Sequence, residues 1–178
     1  AMSRTVVKTL LLLALIAGAL MAGVMIASRR PWPTRRNTLT LALMGGVGYV
    51  AQALCFFLAL KHASAGLVAL LLYLYPFLVT LLGVIFAGER LTLLRALAVL
   101  SALLGTALTI GAGLAGSPLG IGLGVAAAMI YSIYIIVGNR VLKKEDPLAA
   151  ATVVMLAAAG VFGLLVLGGT PGFPASFS

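Results

Sequence analysis

The sequence predicts an all-α membrane protein, and three observations support that fold class. Hydrophobic residues make up 63% of the 178-residue chain and charged residues only 8%, a balance that excludes ordinary soluble folds. The apolar residues are grouped into runs of about 20, the length at which a helix crosses a hydrocarbon core of roughly 30 Å. These runs are rich in Leu, Ala and Gly without apolar/polar alternation, which excludes a membrane β-barrel.

Six such runs predict six transmembrane helices. They cover residues 6–28, 39–60, 66–87, 96–114, 119–138 and 148–167. The first run is longer than the apolar core of a typical signal peptide and has no clear cleavage site before the basic loop, so we interpret it as a retained span.

The basic residues predict the orientation of these spans. Nine of the twelve lie in alternate connections: Arg29, Arg30, Arg35 and Arg36; Arg90 and Arg95; Arg140, Lys143 and Lys144. The opposite side has only Arg4, Lys8 and Lys61. The positive-inside rule therefore predicts that loops 29–38, 88–95 and 139–147 lie in the cytoplasm. We expect a multi-pass protein of the plasma membrane (bacterial inner membrane). This role in topology, rather than binding of nucleic acid, explains the net charge of +9.

Residues for catalysis or metal binding are scarce. The acids Glu89, Glu145 and Asp146 all lie in connections, and His62 lies at a span boundary. The one cysteine, Cys55, allows no intramolecular disulfide or Cys-based metal site. No span contains paired carboxylates, a metal-ligand set or a Ser–His pair, so we predict no enzyme, no catalytic residue, no cofactor and no bound metal.

Small residues spaced four apart predict close helix packing. The pairs are Gly18 with Ala22, Gly83 with Ala87, Gly105 with Thr109, and Gly120 with Gly124. Each pair lies on one helix face and lets another helix approach closely. We expect a compact bundle, and homo-oligomerisation or other self-association through these faces is a further possibility.

Uncharged polar and aromatic side chains at span depth are the candidate functional residues, because an unpartnered polar group there is costly. Tyr49, Gln52 and Cys55 share one face of the second span. Residues 73, 76 and 80 (Tyr, Pro, Thr) form a similar stripe in the third span, where the proline predicts a kink. Residues 131, 134 and 138 (Tyr, Tyr, Gly) form another in the fifth.

Two explanations of these stripes remain open. One is interhelical hydrogen bonding and interface anchoring, which is the better explanation for Tyr75 and Cys55. The other is an uncharged polar cavity that binds substrate. The candidate substrate-binding residues are Tyr49, Gln52, Tyr73, Pro76, Tyr131 and Tyr134.

The third span and its flanks resemble a known family. The segment 59–70, ALKHASAGLVAL, is followed by Tyr75–Pro76 and by GERL at 88–91. This ordered set resembles the signature of EamA-type transporters in the drug/metabolite transporter superfamily. The resemblance implies a ten-helix bundle of two inverted five-helix repeats that moves small organic metabolites, amino acids or drugs, mostly outward.

On this resemblance, residues 1–114 contain the last four helices of the first repeat and residues 115–178 the first two of the second. The resemblance also implies a cavity lined by the second, third and fifth spans, and a chain too short to transport by itself. The leading hypothesis is thus a secondary transporter whose partners are the lipid bilayer and a small-molecule substrate. A non-transporting helical scaffold or an inactive transporter fragment is the alternative.

Overall fold

The computed structural model describes residues 4–87, 92–110 and 115–168. These residues form eight α-helices and one π-helical segment, with no β-strand among them. The elements are α1 (Arg4–Ala27), α2 (Arg35–Leu43), the π segment (Met44–Tyr49), α3 (Val50–His62), α4 (Ala65–Leu72), α5 (Tyr75–Ala87), α6 (Leu93–Ile110), α7 (Pro118–Leu142) and α8 (Pro147–Leu167).

Five helical stretches in the described part are long and apolar enough to cross a membrane. They are Val6–Ala27, Arg35–His62, Ala65–Phe86, Pro118–Leu142 and Pro147–Leu167. They coincide with the first, second, third, fifth and sixth predicted spans, so the all-α membrane class is confirmed. The fourth predicted span coincides with α6 over 96–110, while 111–114 lie outside the described residues. That α6 crosses the membrane stays a prediction, as does the ten-helix repeat arrangement.

The chain divides into two compact units. Unit 1 comprises Ala1–Val50 and Val137–Ser178, and unit 2 comprises Ala51–Ile136. In described elements, unit 1 contains α1, α2, the π segment and α8, whereas unit 2 contains nearly all of α3, then α4, α5, α6 and most of α7.

Helix α8 is the centre of unit 1 and packs against α1, α2 and the π segment. Its buried residues are Ala149, Ala150, Thr152, Val153, Val154, Ala158, Ala159 and Phe162. Many are small, so neighbouring helices can approach closely. Gly18 of α1 faces Leu156, where a Cβ would lie 2.9 Å from Cδ2 of the leucine.

The π segment lies very close to α8, as the space at its glycines shows. A Cβ on Gly45 would lie 2.1 Å from the carbonyl oxygen of Val154, and one on Gly46 would lie 3.2 Å from Cγ2 of Val161. Glycine has a low propensity for the α-helical conformation, and the π segment Met44–Tyr49 contains three glycines. Because a backbone oxygen cannot move aside as a flexible side chain can, Gly45 admits no larger residue.

Five residues at one end of unit 1, named here the acid–base cluster, join the chain before and within α2 to the start of α8. Arg30 forms an ion pair with Asp146. Glu145 Oε1 accepts hydrogen bonds from Thr34 N (3.1 Å), Thr34 Oγ1 (2.7 Å) and Asn37 Nδ2 (2.6 Å). Asp146 Oδ1 also caps α8 by accepting from the backbone N–H groups of residues 148 (2.9 Å) and 149 (3.2 Å).

These contacts lower the pKa of both acids in the cluster. Hydrogen bonds from the side chains of Thr34 and Asn37 stabilise the carboxylate of Glu145 and place its pKa below the ordinary value. The hydrogen bond from Arg30, followed by the bond from the N–H of residue 149, lowers the pKa of Asp146. Both residues therefore remain ionised at neutral pH.

One end of unit 2 is closed by pairing between two short loops. Ser64 N donates to Ala115 O (2.7 Å), and Ser117 N donates to His62 O (2.8 Å). At the start of α7, a Cβ on Gly120 would lie 2.7 Å from the carbonyl carbon of His62. One turn further along α7, Gly124 faces Leu71 at 2.8 Å. The predicted pair Gly120 and Gly124 thus does line a close packing face.

The third span is interrupted at residues 73–74, between α4 and α5. Leu74 N donates to Leu71 O (3.2 Å), a tight last turn, and α5 then begins at Tyr75. Pro76 is the second residue of α5, where its missing N–H costs little. The proline was predicted to kink this span, and the structure has the interruption immediately before it.

Candidate substrate site

The interruption of the third span leaves a polar contact at depth in unit 2. The hydroxyl of Ser132 on α7 is fully buried. Its Oγ lies 2.7 Å from Ala128 O on the same helix and 3.3 Å from Tyr75 O at the start of α5. A serine has one hydroxyl proton, so the two carbonyls share it. Ser132 therefore connects α7 to the first residue after the break.

Three tyrosine rings, named here the tyrosine cluster, meet beside this contact. The ring centroids of Tyr75 and Tyr131 are 4.9 Å apart at an interplanar angle of 74°. Those of Tyr131 and Tyr134 are 6.2 Å apart and nearly parallel at 14°. The first arrangement is edge-to-face and the second is stacked, and the quadrupole of aromatic rings favours edge-to-face and offset-stacked pairs at such distances. Within the described residues, the hydroxyls of Tyr75 and Tyr131 have no hydrogen-bond partner.

Gln52 is the amide at depth in α3, and it is half-buried. The described part of the chain offers its side chain no hydrogen-bond partner. All fully buried side-chain nitrogen and oxygen atoms in that part are partnered. An interhelical hydrogen bond by Gln52 would have explained its presence in an apolar span, and the described residues contain no such bond.

The remaining candidates are placed as follows. Tyr49 is the last residue of the π segment, in unit 1, and is half-buried. Tyr73 lies at the break and is 53% exposed. Pro76 is half-buried, and its carbonyl accepts a hydrogen bond from Thr80 Oγ1 (2.8 Å). Of the six candidates, the structure brings Tyr131 and Tyr134 into contact. A shared cavity that includes the other four stays a prediction.

Two residues outside the predicted set contact these candidates. Tyr75 was assigned to packing and interface anchoring, and its ring packs against the candidate Tyr131. Ser132 was not singled out, although a serine beside Tyr131 in an otherwise apolar stretch was a usable signal. Together with Gln52, these residues can donate and accept hydrogen bonds and stack against flat groups, and they contain no formal charge.

A multi-pass helical chain with an interrupted span and uncharged polar groups at depth has the features of a membrane transporter. The EamA-like transporter family model matches residues 2–111, and the chain belongs to this family. It is therefore a multi-pass membrane protein of a transporter family.

A solved crystal structure has the same fold over most of the chain. The TM-score is 0.72 with 26% sequence identity, over 94% of this chain and 59% of that one. The chain thus spans a little under three fifths of the solved protein it resembles. A search of curated proteins found none that matches.

Proposed function

We propose that the protein is a secondary transporter that exports small organic metabolites, amino acids or drugs through an uncharged polar cavity near the membrane midplane. In unit 2 the cavity wall is formed by Gln52 and the tyrosine cluster. Tyr49, Tyr73 and Pro76 complete the proposed substrate-binding set. The amide and hydroxyls bind the substrate by hydrogen bonding, and the rings bind it by stacking.

The observation that supports this proposal is the set of free polar groups in unit 2. Helix packing accounts for buried polar groups when they bond to one another. Ser132 fits that account, because its hydroxyl bonds to Ala128 O and Tyr75 O. The amide of Gln52 and the hydroxyls of Tyr75 and Tyr131 do not fit it, since the described residues leave all three without a hydrogen bond. A bound substrate would supply hydrogen-bond partners for these three groups.

Replacing Gln52 tests the proposal against the alternative of a non-transporting scaffold. In the full-length protein, Gln52→Leu should reduce transport of the substrate at least tenfold while membrane abundance stays near normal. Thr80→Val is the matched control, because it also removes a polar group from a span but that hydroxyl is already bonded to Pro76 O. If abundance and transport fall together for Gln52→Leu, Gln52 serves packing and the scaffold account is the better one.

We also propose that loops 29–38, 88–95 and 139–147 face the cytoplasm, because nine basic residues are concentrated there. Single cysteines in these loops, in a Cys55→Ser background, should resist an impermeant thiol reagent added to intact cells. His62→Cys in the same background is the positive control, since this exposed position lies at the opposite end of its span. Labelling of two or more of the loops from outside would overturn this topology.

A further inference from the structure

We propose that one end of unit 1 is a binding surface for the phosphate groups of anionic phospholipids. The surface, named here the basic rim, is formed by exposed cations on two segments of the chain. They are Arg29, Arg35 and Arg36 on the first segment and Arg140, Lys143 and Lys144 on the second.

The acid–base cluster brings the two segments of the basic rim together. Arg30 follows Arg29 and pairs with Asp146, while Thr34 precedes Arg35 and bonds to Glu145. Lys143 and Lys144 come directly before these two acids. Cations that are more than a hundred positions apart in sequence are therefore held at one end of unit 1.

The charge at this end of unit 1 is unbalanced. Glu145 and Asp146 are its acids, and both are occupied by contacts inside the cluster, with Asn37 and Arg30 respectively. Within the described residues, the six cations of the rim have no acidic partner. Like charges held close together repel one another unless an anion binds between them, so the fold maintains a surface that favours a polyanion or an array of anions.

The position of the rim identifies the anion as a membrane lipid. Its cations flank the ends of apolar helices: α1 ends at Ala27, α7 ends at Leu142 and α8 begins at Pro147. These helix ends lie at the depth of lipid headgroups in a bilayer. Trp32, in the first segment, exposes 53% of its surface between two prolines, and an exposed indole beside cations is typical of the membrane interface. Clusters of four to eight Lys or Arg next to a span bind anionic lipids.

The test measures retention of phosphatidylglycerol by the full-length protein in nanodiscs of phosphatidylcholine with a graded phosphatidylglycerol content. Native mass spectrometry of the released protein counts the lipids bound. The test variants are Arg35→Gln/Arg36→Gln and Lys143→Gln/Lys144→Gln. The control Lys8→Gln/Lys61→Gln removes the same charge at the opposite ends of the first two spans, and Arg35→Lys/Arg36→Lys keeps the charge of the rim.

We expect the protein to retain phosphatidylglycerol in preference to phosphatidylcholine, and each lost rim cation to weaken the apparent affinity about fivefold. The control and the Lys-for-Arg variant should retain the lipid, and inorganic phosphate at the same concentration should not displace it. Absence of a preference in the unmodified protein, or equal losses in the control, would overturn the proposal. Displacement by inorganic phosphate would show a free-anion site instead of a lipid site. No transport measurement enters this test, so its outcome is independent of the proposed function.

Discussion

The two units of this chain use their helices differently. In unit 1 the helices are held together by small apolar residues, as where Gly45 meets Val154, and the acids and most of the cations lie at one end. In unit 2, Tyr75, Tyr131 and Ser132 meet within the spans, next to the break that precedes Tyr75. The comparison shows that close approaches at glycine dominate the described contacts of unit 1, whereas aromatic and hydroxyl contacts join the helices of unit 2.

The largest expected effect is in unit 1, at the π segment. Gly45→Ala places a methyl group against a backbone oxygen that cannot yield, and we expect a loss of about 3 kcal/mol in the free energy of unfolding. Gly160→Ala is the control: Gly160 is exposed on α8 with no atom within 4 Å of its Cβ position. The control should gain about 0.5 kcal/mol. Thermal unfolding in detergent measures both, and equal stability of the two variants would contradict the close approach.

The second prediction concerns the tyrosine cluster in unit 2. Tyr131→Ala removes both ring contacts and should cost about 2 kcal/mol. Tyr131→Phe keeps the rings and removes a hydroxyl that is free of partners in the described residues, so stability should change by less than about 0.5 kcal/mol. Transport by the full-length protein should nevertheless fall in the Phe variant. If Phe destabilises as much as Ala, the hydroxyl has a structural role.

A smaller effect distinguishes buried hydroxyls in the two units. Thr152 in α8 bonds only to its own helix, at Leu148 O (2.8 Å), whereas Ser132 also reaches Tyr75 O on another element. Ser132→Ala should therefore cost about 1 kcal/mol, and Thr152→Val less than about 0.5 kcal/mol. Equal costs, measured by reversible unfolding, would mean that the contact between α7 and Tyr75 contributes nothing.

The smallest effect is the pH dependence of the acid–base cluster, which is exposed. The lowered pKa values of Glu145 and Asp146 mean that their contribution to stability is complete above the ordinary values of 4.5 and 3.8. It is lost as the pH falls through the lower folded values, because the unfolded chain then binds more protons. The thermal midpoint should drop between about pH 5 and about pH 3, and the drop should be smaller in Glu145→Gln/Asp146→Asn. If the thermal midpoint of this variant drops as much as that of the unmodified protein, titratable groups other than Glu145 and Asp146 cause the drop.

The sequence predicted the helices well because hydrophobic length is a local property. Five predicted spans agree with helical stretches to within a few residues at most ends. It did not predict the π segment, since that geometry depends on how closely α8 approaches Gly45. The partners of Glu145 were also beyond reach, because Thr34 and Asn37 lie more than a hundred positions away in the chain.

The third span shows most clearly how the candidate site was only partly predictable. The stripe of Tyr73, Pro76 and Thr80 was drawn at a helical period of 3.6 residues, with a kink expected at the proline. The structure has a break at residues 73–74, and the first residue after it, Tyr75, contacts Tyr131. A proline in a sequence indicates that a break is near. The rotation of the helix after the break depends on what it packs against.

The sequence by itself determined that this is a helical membrane protein, and its ordered motifs around residues 59–91 already resembled the family to which it belongs. These properties follow from composition and local order along the chain, which do not depend on folding. The tertiary structure decided which residues meet: Tyr75 with Tyr131, Ser132 with the Tyr75 carbonyl, and Gly45 with Val154. These contacts depend on helix breaks and on close packing between distant segments, and neither is a local property of the chain.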